Sequence, residues 1–424
     1  MSLKVASTSF ISASVFLLLM NTILLSSQRS SSFITKLHVQ AFSISATGRS
    51  PHCRKFSAAA KIFSSPSNHR QSHQNRRRRL FSTEVDTRTN LHIHTEKIMD
   101  PAANMQPRSF PLEMTEAERY LFDLNGYIII RNVLTPEEIK EAHSAIDKHQ
   151  TAMIERSEDK PSLRNAVKGT KFYGSGNGRK DLGGVLEWGP DSKIFKSILA
   201  HPRLVPIFHG LLGKGYRMDH LPFIIAQDKG AEGFQLHGGT VDCNTGSYNP
   251  ELAYTCHNGN LRSSLLGCNV MLTDHDPGSG GFCVVPGSHK SNFKMPPGMV
   301  DGEAHSEFIQ QPATKAGDVV LFSEGTVHGA MAWTAETQRR VCLYRFSPAT
   351  SVYGRSYFTH EGKWPEKMYE DLNDAQRAVL EPPYANRLDR PEIVGNGSEA
   401  EVVISSRNQV KKQHDQELFG TKYF

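Results

Sequence analysis

At 424 residues, 38% hydrophobic and 22% charged, the chain can bury a full core, and its length suits one large domain or two to three ordinary ones. The formal net charge of +6 is unevenly spread: all 43 acidic residues lie at or beyond Glu84, with only 37 of the 49 basic ones. The body of the chain therefore carries about −6, which argues against a nucleic-acid partner.

Residues 1–83 form an acid-free, Ser/Arg-rich leader, the composition of a cleaved organelle-targeting segment. "RRRRLFST" (Arg76 to Thr83) suits the basic end of a mitochondrial presequence, whereas an apolar core followed by a Ser/Arg tract and "VQAFS" suits a two-part plastid signal. The run Phe10 to Leu25 is long enough for a signal-peptide core and marginal for a span, so the alternative is anchorage in the ER or another membrane through residues 10–25. No stable span is expected in the mature chain.

A linker covers 84–111, and the main domain runs from 112 to 350. "GYIIIRNV" predicts a strand from its β-branched run. Thr135, Pro136 and Glu138 stand at N-cap, N1 and N3 of the next helix, with Ile139, Ala142 and Ile146 on one apolar face. Further helix follows in "DSKIFKSILAHPRLVPIFHGLLG", broken at Pro202 and stopped at Gly213. From Tyr216 the chain turns to short apolar runs bounded by Gly, Pro, Asn and Asp, the texture of an antiparallel sandwich or barrel; it predicts a mainly β fold with flanking helices (α+β), a double-stranded β-helix or jelly roll. The stretch from Gly238 to about Leu261 is long enough for a functional loop. A helical extension over 351–392 and a polar tail over 393–424 complete the chain.

Six cysteines include no CxxC pair. Cys268, Cys283 and Cys342 lie in apolar runs as small core residues, while Cys243 and Cys256 are near enough in sequence to His237 to pair or bind metal. His220, His257, His275 and His289 are expected to be structural. Three groups stand out: His237 at the end of "GFQLH", His328 in "LFSEGTVHGAMAW", and Arg339 or Arg340 opening "RRVCLYRF". Two imidazoles suit Fe(II), and a guanidinium fork suits the far carboxylate of a 2-oxo acid. Strand alternation lets only one of the two arginines face inward.

"FDLNGYIIIRNVLTPEEI", "LTDHDPGSGGFCVVPGSHKSNF" and "AGDVVLFSEGTVHGA", with an arginine about eleven residues past His328, resemble the phytanoyl-CoA dioxygenase family of Fe(II)/2-oxoglutarate oxygenases over roughly residues 112–350. The resemblance implies a jelly-roll dioxygenase that uses Fe(II), 2-oxoglutarate and O2 on a small-molecule substrate of lipid-like or acyl type. It makes His237 and His328 the metal ligands and Arg339 the co-substrate arginine. Gln227 in "FIIAQ" is a candidate donor to the 2-oxoglutarate C1 carboxylate, and Tyr248, Tyr254 and Asn258 are candidates for the substrate pocket or for turn chemistry.

The departure is at Gly239, two residues after His237, where the family carries a carboxylate. Period-two alternation would put position 239 on the face of His237. Three readings follow: Asp242 or Glu251 folds in to supply the acid, or water fills the position, for a hydroxylase; chloride fills it, as in Fe(II)/2-oxoglutarate halogenases; or the fold is a metal-free binding module.

Overall fold

The computed structural model describes residues 108–156, 166–175, 178–354, 364–383, 391–404 and 409–420, all within the unit Thr95–Phe424. The leader and the candidate anchor at Phe10 to Leu25 lie outside the described residues. In chain order the strands are β1 Tyr127–Ile130, β2 Ile154–Glu155, β3 Lys180–Leu182, β4 Arg217–Gln227, β5 Phe234–His237, β6 Tyr254–His257, β7 Asn260–Ser263, β8 Leu266–Met271, β9 Gly281–Val284, β10 Val319–Ser323, β11 His328–Met331, β12 Arg339–Ser347, β13 Pro391–Gly395 and β14 Ala400–Ile404.

Two antiparallel sheets make the jelly roll. The larger has the order β1-β10-β8-β12-β4-β3-β2 and the smaller β5-β11-β9. Alternation sorts the large sheet's side chains between two cores. Leu321, Cys342, Tyr344 and Phe346 pack on the helical side, and Val320, Phe322 and Val341 point toward the small sheet with Phe282 and Val284. The helical side is covered by Pro136–His149, which opens on the expected capping box: Glu138 N donates to Thr135 Oγ1 at 3.2 Å and Thr135 N to the Glu138 carboxylate at 2.7 Å. Gly213 at φ 85° ends the helix Val205–Leu212, and Pro202 stands in the break before it.

The stretch from Gly238 to Leu261 contains structure of its own. It holds the hairpin β6–β7, with Asn258 at φ 51° in its turn, so this residue does turn work. Tyr254 Oη donates to Asp123 Oδ1 at 2.6 Å, and its ring packs on Phe122 and His289, so it braces the hairpin. Tyr248 is exposed. Where the sequence reads as the end of a helical extension and, from 393, a polar tail, β13 and β14 form a second hairpin whose Ile393 joins the main core, and a helix spans Gln409–Phe419. Among the described residues no helix is long and apolar enough to cross a membrane.

Candidate active site between the two sheets

His237 and His328 sit directly opposite each other on the β5–β11 ladder, their ring centroids 4.3 Å apart. The ladder is irregular between His328 and Ala330, which oppose His237 and Phe234. That extra residue in β5 is a bulge, and it brings Phe234 and His237, three positions apart, to one cavity. Each imidazole Nδ1 lies 2.8 Å from a backbone carbonyl, Gln235 O for His237 and Thr326 O for His328. A carbonyl can only accept, so both Nδ1 atoms carry a proton and, in the neutral rings, the lone pair lies on Nε2, the tautomer a metal needs.

Arg339 opens β12 opposite Gln227 and is 2% exposed. Its Nη1 donates to Gln227 Oε1, while Gln227 Nε2 donates to Glu232 O at 2.6 Å. Gln227 is thus a holder of Arg339, with one of its two amide hydrogens used on Glu232 O. Burial pulls the guanidinium down to about 9, and the neighbouring Arg179 adds to this. Among the described residues no carboxylate forms an ion pair with Arg339, and its Nε is buried without a hydrogen-bond partner. A buried cation in this state is a receptor for an anion. Arg340 points the other way, to Asp147 at 2.7 Å, as strand alternation requires. Asn269 Oδ1 also lies buried and unbonded on the cavity wall.

His275 packs against Arg339 beneath Gly281, and burial followed by the arginine's charge holds its pKa well below the usual histidine range. His289 Nε2 donates to Asp123 O at 3.1 Å and His220 meets Asp219, both away from the cavity; His257 closes the β6–β7 pairing. Cys243 is buried, Cys256 exposed, and neither forms a disulfide among the described residues.

Position 239 does not lie on the strand. β5 ends at His237, and Gly238 and Gly239 take φ 89° and 96°. A Cβ on Gly239 would stand 2.5 Å from Val241 O, and one on Gly238 would stand 2.9 Å from both Glu324 O and Thr326 O. The expectation that residue 239 shares the face of His237 therefore fails, because alternation ends where the backbone turns left-handed. Neither proposed replacement acid reaches in. Asp242 Oδ1 caps its own turn, accepting from Asn244 N at 3.1 Å and Thr245 N at 2.7 Å, and Glu251 is exposed.

The carboxylate that does approach is Glu324, which the sequence reading passed over. It lies in the turn between β10 and β11, four residues before His328, with its backbone held by Leu265 O at 3.0 Å and by Gly239 N at 3.4 Å. Its Oε2 is 3.7 Å from His328 Nε2, and its Oε1 pairs with Arg345 Nε. The i, i+4 spacing was visible; that a turn, not a helix, would bring the two side chains together was not.

The cavity between these groups holds about 50 Å³ and is otherwise lined by Ile225, Phe282, Phe322 and Leu343. Larger clefts of about 560 and 1130 Å³ hold neither His237 nor His328. Among the described residues no three His, Cys, Asp or Glu side chains already converge as a metal-binding group. The two imidazoles and the buried guanidinium fit iron and a dicarboxylate; the acid does not stand where the family places it.

The family profile described as phytanoyl-CoA dioxygenase (PhyH) matches residues 122–341, just over half of the chain. The chain is 26% identical over 252 residues to an ectoine dioxygenase of Stutzerimonas stutzeri, covering 53% of this chain and 74% of that protein. It is 21% identical over 291 residues to an ectoine dioxygenase of Streptomyces coelicolor, covering 67% and 86%. Among solved structures, HygX from Streptomyces hygroscopicus with nickel and 2-oxoglutarate bound matches 57% of this chain and 90% of its own at 21% identity and a TM-score of 0.45.

Proposed function

The chain belongs to the phytanoyl-CoA dioxygenase family of non-haem Fe(II)/2-oxoglutarate oxygenases, and on that premise we propose that it hydroxylates a C–H bond of a small lipid-like or acyl molecule. The observation that carries the reading is the convergence of two imidazoles of fixed tautomer with a buried, carboxylate-free guanidinium on one cavity. When bound, iron with 2-oxoglutarate and O2 supplies the oxidation that turns C–H into C–OH, releasing succinate and carbon dioxide.

This chain's own residues do the rest. His237 and His328 hold the ion through Nε2, each ring fixed by the carbonyl at its Nδ1. Arg339, steadied by Gln227, takes the far carboxylate of 2-oxoglutarate and gains the counter-charge that its burial withholds. Asn269 offers a buried acceptor on the same wall. Ile225, Phe234, Phe282, Phe322 and Leu343 exclude water, and their apolar character supports a lipid-like substrate. The acid-free leader supports delivery to a mitochondrion or plastid.

Anaerobic titration of the protein with Fe(II) and 2-oxoglutarate tests the reading. A visible charge-transfer band that needs both additions is expected. No band, with iron absent by metal analysis, would favour the second reading, a metal-free binding module.

A further inference from the structure

We propose that Glu324 is the third metal ligand, a carboxylate delivered from the β10–β11 turn in place of the one missing after His237; the inference rests on the iron/2-oxoglutarate reading. The argument begins with sides. A carboxylate that orients a metal-binding histidine sits at the nitrogen opposite the metal. In His328 that nitrogen, Nδ1, is taken by Thr326 O, and Glu324 approaches Nε2 instead. It is on the ligand side. The 3.7 Å between Glu324 Oε2 and His328 Nε2 is close to the roughly 3.0–3.6 Å that separates two donors each about 2.1 Å from one ion.

The surroundings agree. Gly238 and Gly239 carry no side chains, and this lets their backbone lie against the Glu324–Thr326 turn; any Cβ at 238 would strike Glu324 O and Thr326 O. It is Gly238, the residue between His237 and the position of the usual acid, that makes room for the turn bearing Glu324. Glu324 is 8% exposed, and its charge is balanced by Arg345, which lines the cavity that holds His237 and His328. With Glu324 bound, two imidazoles and one carboxylate restore the −1 total charge of iron, 2-oxoglutarate and acid. A chloride ion in that position would instead stand beside a carboxylate and be repelled.

Co(II) is the probe, with affinity read by calorimetry and ligand geometry by the visible d–d spectrum. Glu324→Gln, nearly isosteric, is expected to bind Co(II) at least about tenfold more weakly with an altered spectrum. Arg345→Gln keeps the carboxylate and is expected to bind at least as tightly as wild type. Melting of the metal-free variants confirms folding, and Glu324→Asp serves as a second variant with a shorter reach and intermediate affinity. Glu324→Gln within twofold of wild type would overturn the ligand assignment while the oxygenase reading stands; so would parallel losses in Glu324→Gln and Arg345→Gln, which would make the pair structural. A wild type that binds no Co(II) and gives no Fe(II)/2-oxoglutarate band removes the reading itself.

Discussion

Arg339 is a cation held at 2% exposure by one amide oxygen, a state that costs folding free energy until an anion arrives. Its substitution therefore separates stability from binding. Without ligand, Arg339→Met should unfold within about 1 kcal/mol of wild type, since a buried charge gives way to an apolar side chain of similar reach. With metal present throughout, 2-oxoglutarate at a hundred times its Kd should add about 2.7 kcal/mol to wild type and almost nothing to the variant, as read by thermal melting. Arg339→Lys should not rescue the shift, because an ammonium lacks the two-pronged geometry that matches a carboxylate. An equal ligand-induced gain in wild type and Arg339→Met would remove Arg339 from the co-substrate site. That only one of Arg339 and Arg340 faces inward was legible in the sequence, because alternation on a regular strand sends neighbours to opposite faces and β12 is regular at that point; the choice of Arg339 came from the spacing of the family it resembles.

At the scale of the element, β5 and the glycines after it show where such reasoning stops. Four residues of strand place His237, a bulge turns Phe234 toward the same cavity, and two left-handed glycines turn the chain away. Each departs from period two, and none is marked by residue type alone. Gly239→Asp, which looks like a simple restoration of the family's acid, should instead destabilise the fold by about 1–3 kcal/mol in urea denaturation, since φ 96° disfavours a side chain and its Cβ would stand 2.5 Å from Val241 O. It should bring no gain in Co(II) affinity. Tighter metal binding by this variant would mean that the turn can rearrange and that position 239 still belongs to the metal site. The cap at Thr135 behaved otherwise: a capping box is local, three residues long, and its geometry follows from sequence alone.

Across the whole molecule, the jelly roll is closed by segments far from the site. Ile393 of the C-terminal hairpin is fully buried in the core that Val205, Leu211 and Leu380 share. Ile393→Ala should cost about 2–5 kcal/mol by denaturant titration and leave the metal affinity of the remaining folded protein unchanged. A cost under about 0.5 kcal/mol would show that the hairpin is peripheral. Composition hid this element, since a short strand that buries one residue in two among polar neighbours reads as tail. The sequence by itself determined what depends on periods and short spacings: the strand-rich core, the capped helix, the pair of histidines and the inward arginine. Only the tertiary structure decided which carboxylate faces His328 and which side chains close the cavity. Those are distances between residues on different elements, set by how two sheets pack, a bulge and a turn, and no local pattern carries them.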